Sequence, residues 1–246
     1  MYQSAAGMMV NEYRQSVISN NIANADTVGF KREIASFAER QPASEAGLRI
    51  GPSSEELGSL TGGLWLGETR TDHSPGAFER TGEPLDAAIE GAGFFVVRAA
   101  GQDLVTRDGR FVMDERGRLR SAADGAEVLG VGGVPIRLNP RAHSTQITED
   151  GDIRQDGVRV ARLALADFAD YRALQKSGAG RFDPSNAQPV AVAARVIGGH
   201  VERSGTQAVQ EMVQMIEAAR AYQMNAQMVA LQDQSIGRLI NQVAAA

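Results

Sequence analysis

Residues 206–243 read TQAVQEMVQMIEAARAYQMNAQMVALQDQSIGRLINQV, a stretch without proline in which apolar residues recur every three or four positions. This spacing places apolar side chains along one side of an α-helix. Because the pattern continues for about five heptads, it favours a coiled coil over an ordinary surface helix. At about 1.5 Å per residue the helix would be roughly 57 Å long, so we expect another element to pack along it.

The apolar seam of this helix consists of two lines of residues, one starting at Met212 and the other three residues later. Its members are Met212, Met215, Ala219, Tyr222, Ala226, Val229, Ile236, Ile240 and Val243. Asp233 interrupts the first line. A polar residue at this position either fixes the register of a coiled coil or lies on a side turned to solvent, and the sequence favours neither.

The same helix carries apolar residues away from this seam. They are Val209, Val213, Ile216, Met224, Leu231 and Leu239. A helix that is apolar on more than one side is normally buried among several neighbours. One partner helix would cover one side only, and head-to-tail contacts between copies of the chain would cover the rest.

The N-terminal segment has a similar pattern, with a seam formed by Ala6, Val10, Tyr13 and Val17 that continues at Asn20 and Asn24. We expect this helix to end near residues 25–29, where Asn, Asp and Gly accumulate and Gly29 suits a left-handed cap. An amphipathic helix packed on its own domain would show the same pattern. The matching seam at the other end of the chain favours pairing of the two helices, or of copies of them.

The middle of the chain separates into two regions. Residues 37–70 are rich in Gly, Ser and Glu with little periodicity, which predicts a linker or extended loop. Residues 71–199 contain short apolar runs typical of strands, separated by Asp-Gly pairs that suit tight hairpin turns. The four pairs are Asp108-Gly109, Asp124-Gly125, Asp150-Gly151 and Asp156-Gly157. The predicted fold is α+β, with a discontinuous terminal helical coiled-coil domain (1–36 and 200–246) enclosing a mainly antiparallel β domain.

Composition and motifs give no indication of catalysis. The chain has no cysteine, which excludes disulfides and thiolate chemistry, and its net charge of -5 does not indicate a nucleic-acid surface. His73, His143 and His200 lack ligand spacing, so we expect solvated surface histidines and no metal or cofactor. No phosphate-binding motif, cleaved signal or membrane span is predicted.

The stretch from Asn20 to Arg32 reads NNIANADTVGFKR. It resembles the N-terminal motif of the flagellar basal-body rod and hook protein family. Later blocks are also similar to that family, including residues 74–97, 106–111, 128–136 and 211–222. The resemblance identifies an assembly motif comprising Asn20, Asn21, Asn24, Thr27, Gly29, Phe30 and Lys31.

Two departures from the family pattern occur near the last helix. Residues 202–206 read ERSGT where the family often has Glu-Ser-Asn-Val-Asn, and Gln223 and Gln227 replace a common Glu and Lys. Within the family, the length and the 128–136 block resemble the proximal rod type most, with the distal rod type second.

The resemblance implies a structural protein without enzymatic activity. Its terminal helices would form part of an inner coiled-coil tube in the rod between motor and hook. The implied partners are other copies, other proximal and distal rod subunits, the type III export apparatus and the surrounding ring proteins, with no nucleic acid or small-molecule substrate. The implied location is the basal-body rod in the periplasm, reached without a cleaved signal.

Two alternatives from other classes remain at this point. One is a periplasmic enzyme with a site in the β-domain loops, which would need a pair of convergent carboxylates that the sequence does not single out. The other is a self-associating periplasmic or surface protein unrelated to flagella, whose deletion would leave motility intact.

The motif also suggests a local geometry. Gly29 would permit a sharp reversal of the chain, Phe30 would anchor the segment, and Lys31 and Arg32 would remain solvated. On this basis we expect Gly29→Val to block assembly more than it destabilises the β domain, whereas a plain helix cap would show no such difference.

Overall fold

The computed structural model describes residues 2–39 and 64–244 of the chain. It contains two long helices, α1 (Tyr2–Ala23) and α2 (Ala208–Ala244), and many short strands, which confirms the α+β class. The described residues form two compact units. Unit 1 comprises residues of the ranges 1–23, 33–70 and 207–246, and unit 2 comprises 24–32 and 71–206.

Unit 1 contains both helices and a small amount of β structure. Its strands are β1 (Glu33–Ile34), β2 (Phe37–Glu39) and β3 (Leu64–Leu66), and β4 (Arg70–Thr71) lies at the boundary with unit 2. Strand β2 pairs antiparallel with β3, so that Phe37 lies opposite Leu66. The predicted linker therefore begins and ends with paired strands, and its residues 40–63 lie outside the described residues.

Neither α1 nor α2, the helices of the described part, combines the length and the apolar character needed to cross a bilayer. Both lack an interior proline, and α2 continues for 37 residues as its apolar periodicity predicts.

Unit 2 is built from strands. They are β5 (Phe78–Arg80), β6 (Ala87–Glu90), β7 (Phe94–Ala99), β8 (Gln102–Thr106), β9 (Phe111–Met113), β10 (Leu119–Ser121), β11 (Glu127–Gly130), β12 (Val134–Pro135), β13 (Thr145–Ile147), β14 (Asp152–Gln155), β15 (Val158–Arg162), β16 (Leu165–Phe168), β17 (Gln175–Lys176), β18 (Arg181–Asp183), β19 (Pro189–Val190), β20 (Arg195–Gly198) and β21 (His200–Glu202). A short 3-10 helix, Tyr171–Ala173, follows β16.

The largest sheet of unit 2 has the strand order β17-β18-β8-β7-β11-β10-β9, with β16 also paired to β7. A second sheet has the order β13-β14-β15, and the pairs β20–β6 and β21–β5 complete the unit. The strands pair antiparallel. The main core between them contains Ala87, Ile89, Phe95, Val97, Leu104, Phe111, Leu119, Val128, Ile136, Ile153 and Val196.

Three of the four predicted Asp-Gly hairpins are confirmed. Gly125 joins β10 to β11, Gly151 joins β13 to β14, and Asp156-Gly157 joins β14 to β15, all with positive φ at glycine. The prediction for Asp108-Gly109 is wrong, because β8 and β9 are not neighbours in the sheet. A Cβ at Gly109 would lie 1.6 Å from the Ala87 carbonyl oxygen, so this glycine permits close backbone contact instead.

Candidate functional site

The two helices of unit 1 pack side by side in opposite directions. A Cβ added to Gly7, near the start of α1, would lie 2.9 Å from Nδ2 of Asn225. Near the other end of α1, Asn21 Nδ2 donates a hydrogen bond of 3.4 Å to Oε2 of Glu211. The absence of a side chain at Gly7 thus lets the helices approach closely, and the order of the two contacts along the chain shows that they are antiparallel.

The side of α2 that is turned inward coincides with the apolar seam only in part. Glu211 and Ala218 are fully buried, and Tyr222, Asn225 and Val229 are half-buried. Of the seam residues, Met215, Ala219 and Ala226 are also half-buried, whereas Met212 is 51% exposed and Ile236 is 42% exposed. The inward line therefore includes polar residues, which a search for apolar periodicity cannot find.

On α1, the inward side agrees more closely with the sequence pattern. Val10 and Val17 are buried, and Ala6 and Tyr13 are half-buried. The continuation of this seam at Asn20 is wrong, because Asn20 is exposed and its neighbour Asn21 is buried instead. The amide of Asn21 donates to the Glu33 carbonyl at 2.8 Å and accepts from the Glu33 N–H at 2.9 Å.

The C-terminal part of α2 extends beyond α1. In both contacts, Gly7 with Asn225 and Asn21 with Glu211, the two residue numbers add up to 232. Because this sum stays constant along an antiparallel pair of helices, Tyr2 lies level with Ala230. The following 14 residues of α2, about 21 Å of helix, continue past the first described residue of α1. Asp233 is exposed in this part, and the side chains of Ile240 and Val243 lie outside the described residues, as does that of Leu239.

A second face of α2 is apolar and exposed. Val213 follows the buried Glu211 by two residues, and Ile216 precedes the buried Ala218 by two residues. Two residues correspond to a rotation of about 200° around the helix, so both lie nearly opposite the buried side. The exposed apolar residues, here called the outer face of α2, are Val209, Met212, Val213, Ile216, Met224, Met228 and Leu231. Contiguous exposed apolar residues of this kind mark a surface that binds a partner.

The remainder of the motif, residues 24–32, belongs to unit 2. Thr27 donates from its backbone N–H to the Asn24 carbonyl at 3.2 Å, and its hydroxyl donates to the Asn24 side-chain oxygen at the same distance. The Phe30 N–H donates to the Thr27 carbonyl at 3.3 Å. These local bonds shape a compact turn, which begins immediately after α1 ends.

Gly29 fits against the backbone of another part of unit 2. Its φ is +68°, and its N–H donates to the Glu202 carbonyl at 2.7 Å. A Cβ at this position would lie 2.5 Å from the carbonyl carbon of Arg107 and from the nitrogen of Asp108. Gly29 is thus not a cap of α1, which ends six residues earlier, but a point of close contact that excludes any side chain.

Lys31 is buried, contrary to the expectation that it would be solvated. Only 2% of the residue is exposed, and its Nζ donates to Glu202 Oε1 at 2.6 Å and to the Ser74 carbonyl at 2.7 Å. Burial lowers the pKa of the Lys31 ammonium, and the charge of Glu202 and its hydrogen bond oppose that shift.

Glu202 is the centre of this charge cluster. Its side chain is fully buried, and besides Lys31 it accepts hydrogen bonds from the Gly76 N–H at 2.7 Å and from Arg107 Nη1 at 3.2 Å. Arg107 also donates to the carbonyls of Ile89 and Gly91 and lies over the Phe94 ring. One carboxylate therefore balances two buried cations, and we call Lys31, Arg107 and Glu202 the Glu202 cluster.

Phe30 completes the attachment of the segment. Its side chain is buried, as the sequence predicts, and Lys176 Nζ lies 4.7 Å from the centre of its ring while donating to the Lys31 carbonyl at 3.0 Å. The Phe30 carbonyl accepts from the Gly205 N–H at 2.9 Å. Residues 24–32, which follow α1, are thereby tied to residues 202–205, which precede α2.

Glu202 and Arg107 were not identified from the sequence. The partners Lys31 and Glu202 are 171 positions apart, so no local spacing connects them. One signal was present in the composition, since Lys31 and Lys176 are the two lysines of the chain and both lie at this attachment.

His73 lies among aromatic rings and not at the solvated surface that we expected. The centroids of the Phe94, Tyr171 and Phe182 rings are 5.9, 5.2 and 5.0 Å from that of the imidazole. Burial, assisted by the charges of Lys31, Lys176 and Arg107, lowers the pKa of His73 to about 4, while Asp72 opposes the shift. His73 is therefore neutral at pH 7.

This shift predicts a loss of stability in acid. Because the unfolded chain binds a proton at His73 near pH 6.5 and the folded chain does so only near pH 4, the free energy of unfolding falls as the pH is lowered through that window. We expect about 2 kcal/mol, since the ring keeps some contact with solvent. Urea unfolding of the parent and of His73→Phe at pH 7, 5.5 and 4 measures the difference. Equal pH dependence in both proteins would contradict the assignment.

Within residues 2–39 and 64–244, no three His, Asp or Glu side chains converge in a way that could hold a metal ion.

Three family models match parts of this chain. Residues 1–31 match the family model described as flagella basal body rod protein, residues 88–155 match the flagellar hook protein FlgE/F/G D1 domain, and residues 197–242 match the flagellar basal body rod FlgEFG protein C-terminal model. The class is thus that of flagellar rod and hook proteins.

Individual relatives identify the family within this class. The chain is 35% identical to flagellar basal-body rod protein FlgF of Rhizobium meliloti, over 90% of this chain and 88% of the relative. It is 34% identical to FlgF of Caulobacter vibrioides (93% and 91%) and 31% identical to FlgG of Bacillus subtilis (98% and 97%). The chain belongs to the FlgF/FlgG family of flagellar basal-body rod proteins.

Proposed function

We propose that this protein is a structural subunit of the flagellar basal-body rod and thereby supports motility. The observation that carries the proposal is the outer face of α2, which remains exposed although α1 already covers the opposite side of the helix. Relatives named as rod proteins over nearly the whole chain give the assembly in which that face would be covered.

The proposal extends to how the subunits associate. The terminal helices of neighbouring copies would cover the outer face of α2 and its C-terminal extension, forming a coiled-coil tube with the β-rich residues 71–199 outside it. Head-to-tail contacts of this type build open helical polymers. In this arrangement the exposed seam residues Met212 and Ile236 would be contacts between subunits. The half-buried part of the seam and the N-terminal seam would pack mainly within one subunit; these residues are Met215, Ala219, Tyr222, Ala226 and Val229 of α2 and Ala6, Val10, Tyr13 and Val17 of α1.

The more specific parts of the proposal follow from the family. We propose the proximal rod, with a FlgF-like role, in view of the two FlgF relatives at 34 and 35% identity. The partners would be other rod subunits, the export apparatus and the surrounding ring proteins. The protein would reach the periplasm without a cleaved signal and would have no catalytic activity.

Substitutions on the outer face of α2 test the function. Val213→Asp and Ile216→Asp place a charge on exposed positions, so the isolated protein should unfold within about 0.5 kcal/mol of the parent. A charge buried between subunits is strongly unfavourable, so we expect swimming in soft agar to fall at least about tenfold.

Val134→Asp is the matched control, because Val134 is an exposed valine of strand β12 in unit 2, 64% exposed against 52% for Val213. It should swim like the parent. Normal swimming of Val213→Asp and Ile216→Asp at normal protein levels would refute the proposal that this face is covered in the assembly.

A further inference from the structure

The outer face of α2 is rich in sulfur. Three of its seven residues are methionines, Met212, Met224 and Met228, which are 51, 60 and 50% exposed. The chain has eight methionines and no cysteine, so the thioether group is its only sulfur chemistry. Met113 of β9 and Met215 of α2 are only half-buried and half-exposed, and the outer face therefore holds the more accessible thioethers of α2.

Met224 lies in the middle of the outer face. The steps from Val213 to Met224 and from Val213 to Leu231 add up to net rotations of about 20° and about 0° around the helix, so the three side chains form one line. Met228 follows Met224 by four residues and lies beside it on the helix surface. Met212 is about 100° away from Val213, at the edge of the face.

An accessible thioether reacts directly with a peroxide, without help from a metal or a cofactor. The sulfur lone pair attacks one oxygen of hydrogen peroxide, an S–O bond forms and the O–O bond breaks. The second oxygen leaves as hydroxide and takes the proton of the sulfur-bound hydroxyl group. Sulfur is thereby oxidised to the sulfoxide, and the peroxide is reduced to water.

Oxidation changes the outer face without changing the fold of the subunit. The sulfoxide is polar and accepts hydrogen bonds, and on an exposed helix surface water supplies them. A sulfoxide covered by an apolar partner would lose these bonds, which makes burial of the face unfavourable. The consequence of oxidation thus falls on association, because Met224 and Met228 belong to the exposed side of α2.

We propose that Met224 and Met228 are oxidation sites at which a peroxide blocks incorporation of the free subunit, and that incorporation in turn protects them. Sulfoxides formed before assembly can be reduced again by methionine sulfoxide reductases, so the block is reversible. The proposal rests on the proposed function, since it requires that the outer face of α2 is covered in the assembly.

An oxidation map of the full-length protein tests the sites themselves. The purified subunit is treated with hydrogen peroxide, and each methionine is followed by peptide mass spectrometry. Met9 of α1 is the internal standard, because it is 62% exposed. Met224 and Met228 should react within about twofold of Met9 and at least about five times faster than the half-buried Met113.

The same map on isolated basal bodies tests the protection. If the outer face is covered there, Met224 and Met228 should react at least about ten times more slowly than in the purified subunit. Equal rates in the two preparations would overturn the proposal. Absence of the protein from basal bodies would instead refute the proposed function.

A pair of double variants tests the effect on assembly. Met224→Gln/Met228→Gln introduces a polar oxygen at each position, as the sulfoxide does, and should lower swimming in soft agar at least about fivefold. Met224→Leu/Met228→Leu is the matched control, which stays apolar and should swim like the parent. Glutamine and leucine are both good helix formers, so urea unfolding of the two isolated proteins should agree with the parent.

Normal swimming of Met224→Gln/Met228→Gln at normal protein levels, or oxidation of both sites as slow as that of Met113, would overturn the proposal. The proposed function then still stands if Val213→Asp abolishes swimming. Normal swimming of Val213→Asp would refute the covered face and this proposal together.

Discussion

Replacement of Glu202 by glutamine is expected to lower the free energy of unfolding of unit 2 by at least about 3 kcal/mol. The isosteric amide has no charge, so Lys31 and Arg107 would remain buried close together without a counterion. The amide also presents one acceptor oxygen where the carboxylate has two, so one of its three donors would lose its partner.

Lys31→Met is expected to have a much smaller effect, about 1 kcal/mol. This change removes a cation from a cluster that has two, so Glu202 and Arg107 remain as a balanced pair. The Gly76 N–H continues to satisfy the oxygen that Lys31 leaves. The asymmetry between the two substitutions distinguishes a cluster centred on one carboxylate from a simple lysine–glutamate pair, in which either change would leave one buried charge.

The double variant sharpens this test. In the Glu202→Gln background, Lys31→Met removes a cation that no longer has a counterion, so the double variant should be more stable than Glu202→Gln alone by about 1–2 kcal/mol. Urea unfolding followed by circular dichroism measures all three proteins. Additive losses would show that the two side chains act independently, against the geometry described above.

The pH dependence of Glu202→Gln provides a further check. Without Glu202, the charge and the hydrogen bond that chiefly oppose desolvation at Lys31 are lost, only the weaker effect of Asp72 remains, and the pKa of Lys31 falls further below its ordinary value. The unfolded chain then retains a proton that the folded chain releases, so the stability of Glu202→Gln should rise as the pH is raised through the alkaline range below 10.5. The Lys31→Met/Glu202→Gln protein should lack this rise.

The helices and most hairpins could be predicted because their causes are local. Apolar periodicity without proline determines α2, and glycine after aspartate determines the turns at Gly125, Gly151 and Gly157. The face of α2 that meets α1 could not be predicted in the same way. It depends on the absence of a side chain at Gly7 and on the Asn21–Glu211 hydrogen bond, neither of which appears in an apolar pattern.

The candidate site was predicted only in part for a related reason. The motif showed that residues 20–31 matter, and Phe30 is buried as expected. The sequence predicts a solvated Lys31, because an isolated lysine is almost never fully buried. Its burial requires Glu202, which β21 and the pairing of β21 with β5 bring to it from 171 positions away. A partner at that separation is a property of the topology, not of the sequence near Lys31.

Substitution of Gly29 by alanine is expected to destabilise unit 2 by at least about 3 kcal/mol, and substitution by valine by more. A positive φ alone disfavours any residue with a Cβ by about 1–2 kcal/mol. At Gly29 the added Cβ would also lie 2.5 Å from two backbone atoms of Arg107 and Asp108, which cannot turn aside as a flexible side chain could. Residues 24–32 would have to move away, and Lys31 would leave Glu202.

Gly82→Ala is the matched control for this prediction. Gly82 has a φ of +76°, close to the +68° of Gly29, but an added Cβ would meet no atom within 4 Å. It should therefore lose only the conformational part, about 1–2 kcal/mol. The difference between the two alanine variants in urea unfolding measures the close contact itself, and equal losses would show that Gly29 is required only for its backbone angle.

The location of Gly29 within unit 2 changes the expectation that the sequence alone suggested for Gly29→Val. A glycine acting only in assembly would leave the β structure intact when substituted. Here its N–H donates to the backbone carbonyl of Glu202, the same residue whose carboxylate holds Lys31, so the loss of swimming should accompany a loss of stability. Hydrogen exchange of the backbone amides of residues 29 and 205 identifies the cause of the lost swimming. Both amides should exchange faster in Gly29→Ala and remain protected in Gly82→Ala.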